Sequence, residues 1–173
     1  LLIYSVISKN LIFLSLISLV IIGLLDDIFK VSRMIRIGFQ ITTICLIINF
    51  SDNLNLFSEN ILLISYLTIV FCGVSLINFM NFMDGLDGLL SGCMFLIFSR
   101  SFYFIYPQIS IIIGSLIVFI FFNWSPAKIF MGDIGSTFLG GIYFIILLSS
   151  SNFSQLLMNL LIGTPLLMDS FSC

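Results

Sequence analysis

Histidine is absent from this chain, and only 8% of its residues carry charge. Without an imidazole, no His-based acid–base pair and no histidine zinc site can be built from these residues. Soluble domains carry about 25% charged residues. A chain that is 60% hydrophobic and so poor in charge reads instead as an all-α, polytopic membrane protein. Six Lys and Arg against eight Asp and Glu offer nucleic acid no basic patch. Cys45, Cys72, Cys93 and Cys173 stand singly in or beside apolar runs. With no CxxC spacing they read as small buried residues rather than a redox or metal set. Long linkers, low-complexity tracts and internal repeats are also lacking. The chain starts at Leu1 rather than Met and ends at Cys173 within an apolar run. It therefore reads as one membrane domain, residues 1–173, cut at both ends.

What is present is about seven apolar segments, at roughly 4–25, 37–50, 61–78, 91–106, 109–123, 136–150 and 155–172. Several fall short of the roughly 20 residues a spanning helix needs, so their helices are expected to run on into the adjoining polar motifs. Lys30, Arg33 and Arg36 lie in the first connection and Lys128 in the fifth. Alternating spans put both on one side, which the positive-inside rule makes cytoplasmic. Asp52 and Glu59, without Lys or Arg, mark the second connection as external, while Lys9 and Arg100 fit this scheme less well. Asp26 and Asp27, Asp84 and Asp87, and Asp133 then open on the same cytoplasmic face. Five of the eight acidic residues converge there.

Three clusters hold that polarity. The densest is Asn78-Phe-Met-Asn81-Phe-Met-Asp84-Gly-Leu-Asp87-Gly88. An Asp at membrane depth costs roughly 2.5–3.5 kcal/mol on insertion scales, so a cluster of polar groups points to chemistry or ion binding. The two Asp-Gly steps read as tight turns. If the preceding helix continues, Asn78, Asn81 and Asp84 share one face of it. The plainer alternative is a turn capping two helices. In Gly23-Leu-Leu-Asp26-Asp27-Ile-Phe-Lys30, adjacent carboxylates repel unless a cation sits between them. Mg²⁺ takes carboxylate oxygens, waters and phosphates, and Lys30 lies one turn on, where it could meet a phosphate. The alternative is a polar helix end with basic anchors. In the third cluster, Asn123 to Ser136, Pro126 ends a helix and Gly132 and Gly135 bracket Asp133. Ser136 is expected to cap the next helix, whose free N–H groups would form an anion site. Trp124 and Phe130 offer platforms for a base, or else an interfacial aromatic belt. Asp169 in the last segment is left without a role.

Together GLLDDIFK (23–30), NFMNFMDGLDGL (78–89) and PAKIFMGDIGSTFLGG (126–141) resemble the polyprenyl-phosphate N-acetylhexosamine-1-phosphate transferases, glycosyltransferase family 4. The resemblance implies that a polyprenyl phosphate attacks the β-phosphate of a UDP-N-acetylhexosamine and UMP leaves, with Mg²⁺, or Mn²⁺ in its place, assisting. It implies a multi-pass enzyme of the bacterial inner membrane with a cytoplasmic active site, compatible with a homodimer. By the same resemblance Asp26 and Asp27 lie beside the lipid phosphate, one as base. Asp133 is the metal ligand, with Asp27 as a second. Phe130 stacks on uracil, and Asn81, Asp84 and Asp87 belong to the nucleotide site. Lys30 and Asn123 are further substrate contacts. The family also carries a Pro-, Arg- and Gly-rich motif upstream and a histidine-bearing loop downstream. Both would lie outside these residues, so the 173 residues alone are expected to be inactive. Only about ten residues separate Asp27 from the apolar run at Ile37. That shortness, with Asn-Trp-Ser-Pro before Lys128, resembles the initiators of surface polysaccharides such as O-antigen more than the phospho-MurNAc-pentapeptide translocase of cell-wall biogenesis. An ion-coupled transporter is the alternative of another class. Its acids should lie deep within the spans, and its halves should repeat.

Overall fold

The computed structural model describes residues 11–51, 62–104, 109–150 and 152–164. Their regular structure is helical: α1 Ile17–Phe29, α2 Arg33–Phe50, α3 Leu62–Phe82, α4 Leu89–Phe104, α5 Ile109–Asn123, α6 Gly132–Leu148 and α7 Phe153–Ile162. A further helical turn precedes α1, so the apolar helix runs over Leu11–Phe29. With Arg33–Phe50 and Leu63–Phe82 it is one of three helices, of 18 to 20 residues, long and apolar enough to cross a membrane. At about 1.5 Å per residue they reach about 27–30 Å, the thickness of a bilayer's hydrocarbon core. The other four helices are shorter and equally apolar. Leu63, Ile64, Leu67 and Phe71 of α3 and Ile111, Val118 and Phe121 of α5 are exposed. A bundle with such an outer surface is suited to lipid rather than water. This is a polytopic helical membrane protein.

The helices do run on into the motifs. α1 continues through Asp26 and Asp27 to Phe29, and α3 continues through Asn81 to Phe82. α6 starts at Gly132, so Asp133 lies in its first turn and Ser136 one turn inside it, fully buried. Ser136 is therefore not the cap expected from the sequence. Its hydroxyl donates back to the Gly132 carbonyl at 2.9 Å. Part of the first apolar segment, Asp52, Glu59 and Asp169 lie outside the described residues.

α6 is the central helix. Leu139 to Ile146 are buried without interruption, as befits a helix that is apolar all round. It packs chiefly on α3 and α1, while α4 pairs with α5 and α7 rests on α4 and α6. The approach of α1 to α6 is close enough to demand glycine. A Cβ on Gly23 would lie 2.6 Å from the Cα of Ile134. Small residues at helix crossings are how membrane helices gain packing without a hydrophobic drive. α1 ends at Lys30, which adopts a left-handed φ of 53° and donates its N–H to the Asp26 carbonyl at 2.9 Å. Residues 30–32 then turn the chain directly into α2. A link this short makes α1 and α2 antiparallel neighbours. Polar pairs tie the first three helices at depth. Ser18 meets Thr43 at 2.5 Å, and Gln40 and Asn78 exchange two amide bonds of 3.2 and 2.7 Å.

Candidate active site

One end of the bundle collects the end of α1, the start of α2, the end of α3 and the start of α6. The four join through side chains. Arg36, in the first turn of α2, places Nη1 2.5 Å from Asp26 Oδ2 and 2.9 Å from Asp133 Oδ2. Asn81, in the last turn of α3, donates Nδ2 to the other oxygen of Asp133 at 2.7 Å and to Ser136 Oγ at 3.1 Å. Asp27 faces α6 instead: its Oδ1 accepts the Asp133 N–H at 3.0 Å and its Oδ2 the Ile134 N–H at 3.3 Å. The N-terminus of α6, read from the sequence as an open anion site, is thus capped by a carboxylate from α1, 106 residues away in sequence. Gly132 makes this possible. It has φ +67°, and a Cβ there would stand 2.8 Å from Asp27 Oδ2.

Asp84 follows in the turn after α3 and is half-buried. Burial pushes its carboxyl up to about 6; the Gly132 N–H partly offsets this, and the charges of Asp133 and Asp27 add to it. The stripe expected on α3 therefore divides. Asn78 turns to Gln40 on α2, Asn81 to Asp133 on α6, and Asp84 to the start of α6.

The remaining candidates lie toward α4 and α5. Asp87 accepts the Ala127 N–H on Oδ2 at 3.0 Å, tying the turn to the α5–α6 connection. Asn123 is buried and engaged within the protein. Its Oδ1 accepts the Gly88 N–H at 3.1 Å and the Ser91 hydroxyl at 2.9 Å, and its Nδ2 donates to the Ile129 carbonyl at 2.9 Å. Trp124 and Phe130 are 64% and 72% exposed, so both aromatic faces are open to a partner. Trp124 lines a groove of about 1080 Å³ with Gly85, Leu86, Asp87, Leu96 and Phe121. Lys30 is exposed at the end of α1.

Arg36 is the member that sequence reasoning missed. The positive-inside rule explains it as a topological anchor, although the brevity of the first connection already sets it opposite the last turn of α1. Four carboxylates, Asp26, Asp27, Asp84 and Asp133, thus surround one end of α6 with a single guanidinium bound among them. Such a cluster is short of positive charge. Among the described residues no three His, Cys, Asp or Glu side chains form a ready metal cage. Mg²⁺ does not need one, since it binds through one or two carboxylates and completes its shell with water and substrate phosphate. The donor set fits that kind of site.

Fold and site define a polytopic helical membrane protein with a carboxylate centre at one end of its bundle. The chain belongs to glycosyl transferase family 4, which matches residues 10–151 and so takes in all three motifs. A stretch of 68 residues is 46% identical to a phospho-N-acetylmuramoyl-pentapeptide-transferase of Dictyoglomus thermophilum, covering 39% of this chain and 22% of that protein. Another, of 67 residues, is 39% identical to a protein of Bacillus subtilis named probable undecaprenyl-phosphate N-acetylglucosaminyl 1-phosphate transferase, covering 36% and 19%. The chain thus spans about a fifth of the length of the relatives it matches.

Proposed function

We propose that this protein transfers an N-acetylhexosamine-1-phosphate from a UDP-sugar to polyprenyl phosphate at the inner face of a bacterial membrane, releasing UMP and opening a surface-polysaccharide pathway. The observation that carries this reading is the meeting of Asp26, Asp27, Arg36, Asn81 and Asp133 at one end of the helices. A transporter would instead carry its acids along the spans.

In the reaction an oxygen of the lipid phosphate forms a bond to the β-phosphorus of the donor. The bond from that phosphorus to the bridging oxygen breaks, and UMP departs. Asp26 is only 9% exposed and held by Arg36, whereas Asp27 is exposed, so Asp27 is the member of the pair within reach of the lipid phosphate as base. Asp133 and Asp27 are the residues that would hold Mg²⁺, which when bound supplies positive charge to the reacting phosphates. Asn81 fixes the rotamer of Asp133, and the cap by Asp27 fixes the start of α6. Both are preorganisation, set before substrate arrives. Phe130 and Trp124 offer faces on which a uracil can stack. Asp87 and Asn123 act one step back, holding the turn and the α5–α6 connection that present those aromatics. Lys30 is free to approach a phosphate as a point charge.

The three-residue link between α1 and α2 favours the polysaccharide branch, in keeping with the Bacillus relative. The peptidoglycan reading is favoured by the Dictyoglomus relative, 46% identical over its matched stretch. Membranes carrying the full-length gene product, supplied with undecaprenyl phosphate, Mg²⁺ and a panel of UDP-sugars, separate the two by UMP release. Release with a UDP-N-acetylhexosamine is expected. Release only with UDP-MurNAc-pentapeptide moves the protein to the peptidoglycan branch, and no release from any donor overturns the transferase reading.

A further inference from the structure

Arg36 does not meet its partners as a guanidinium usually does. The common geometry is a fork, two N–H groups on the two oxygens of one carboxylate. Here a single nitrogen, Nη1, lies between oxygens of two carboxylates from different helices, Asp26 Oδ2 and Asp133 Oδ2. That is the position a point cation takes between two anions. Three further carboxylate oxygens have separate donors: Asn81 on Asp133 Oδ1, and the first turn of α6 on both oxygens of Asp27. Arg36 Nη1 occupies the remaining oxygen of Asp133, with the Asp26 carboxyl close beside it. The side chain is 30% exposed and rises from the first turn of α2, at the open end of the bundle. It has somewhere to go.

We propose that Arg36 is a resident counter-ion that a divalent cation displaces. Without metal it holds Asp26 and Asp133 together against their mutual repulsion. When a divalent ion takes the Asp133 oxygen, the guanidinium leaves, and its fork is then free for a phosphate oxygen of the incoming substrate. The exchange keeps the centre from being more negative than the bundle tolerates at either stage. It rests on the transferase reading only in requiring a divalent ion at Asp133.

The test uses the purified full-length gene product in detergent, with Mn²⁺ as probe. Bound Mn²⁺ is measured by electron paramagnetic resonance, and arginine accessibility by phenylglyoxal labelling read peptide by peptide. Saturating Mn²⁺ is expected to raise labelling of Arg36 several-fold and leave Arg33, exposed three residues earlier, unchanged. Arg36→Gln is expected to bind Mn²⁺ about tenfold tighter than the parent, because no bond has to be broken, and Arg33→Gln within about twofold. Bound Mn²⁺ with Arg36 still protected overturns the exchange. Equal gains in the two glutamine variants also overturn it, since they would report only the general field. Absence of Mn²⁺ binding overturns it as well, while UMP release separately decides the transferase reading. The labelling arm uses the parent protein, so it does not depend on the variants folding.

Discussion

The two sides of the turn at residues 83–88 are held together by different physics. On one side, α1, α2, α3 and α6 meet through ionised groups: Arg36 on Asp26 and Asp133, Asp27 on the start of α6. On the other, α4 and α5 are closed by a neutral latch, with Asn123 satisfying Gly88, Ser91 and Ile129 at once, and the one carboxylate there, Asp87, accepts a backbone N–H rather than an ionised partner. The charged side holds groups that can change partner, since each bond there can be replaced by one to a metal or a phosphate. The neutral side holds groups whose partners are fixed, as suits a wall that shapes a groove. Adjacent carboxylates share this division of labour even within α1, where Asp26 takes a guanidinium and Asp27 a helix N-terminus.

Substitutions that hit one side only would sharpen the contrast. The largest effect is expected from Asp133→Asn, which keeps the shape but removes the charge shared by Arg36 and the expected metal. UMP release should fall by roughly 10²–10³-fold while the folded yield is unchanged. Activity within twofold of the parent would show that the charged side is structural after all. Gly23→Ala comes next. Its methyl would meet the backbone of Ile134 at 2.6 Å, so α1 and α6 must part and Asp27 must leave its cap. Thermal unfolding in detergent should report a loss of about 3 kcal/mol. Gly38→Ala on α2 is the control, with nothing within 4 Å of its added methyl. It should be neutral or gain up to about 1 kcal/mol from helix propensity. On the neutral side, Asn123→Ala leaves the buried Gly88 N–H without its acceptor and Ser91 with only the Gly88 carbonyl at 3.3 Å, and should cost about 2 kcal/mol. The Asp26–Arg36–Asp133 contacts should survive it, seen as unchanged Mn²⁺ binding.

The sequence made the fold and half of this contrast readable. Apolar runs too short to span implied helices extending into the motifs, and α1, α3 and α6 do so. Loop parity brought the acidic connections to one end, where Asp26, Asp27 and Asp133 now touch through Arg36 and the α6 backbone. What stayed hidden were partners, because partners depend on helix rotation. Arg36 carried a ready explanation as an anchor, and only the three-residue link turns it toward Asp26. Ser136 looked like a cap because serine often is one, but the cap came from a carboxylate on another helix, which no local pattern encodes. Gln40 gave no signal at all. A lone glutamine in an apolar run becomes meaningful only when Asn78 is found opposite it.

The smallest effect bears on the border between the two sides. Asp84 begins the turn, and its neighbours Asp27 and Asp133 belong to the charged side. Its carboxyl stands at about 6 in the folded protein against an ordinary 3.8. Between those values the folded state binds more protons than the unfolded, so stability falls as pH rises through the window and stays lowered above it. The site is partly open to solvent, which screens the penalty to about 1 kcal/mol. Asp84→Asn removes it. In EDTA the variant should be about 1 kcal/mol more stable than the parent at pH 7, and the two unfolding curves should converge by pH 4. Curves that stay parallel across that range would mean that neither burial nor the charges of Asp133 and Asp27 raise the Asp84 carboxyl. The turn would then belong wholly to the neutral side, and the carboxylate centre would consist of three residues rather than four.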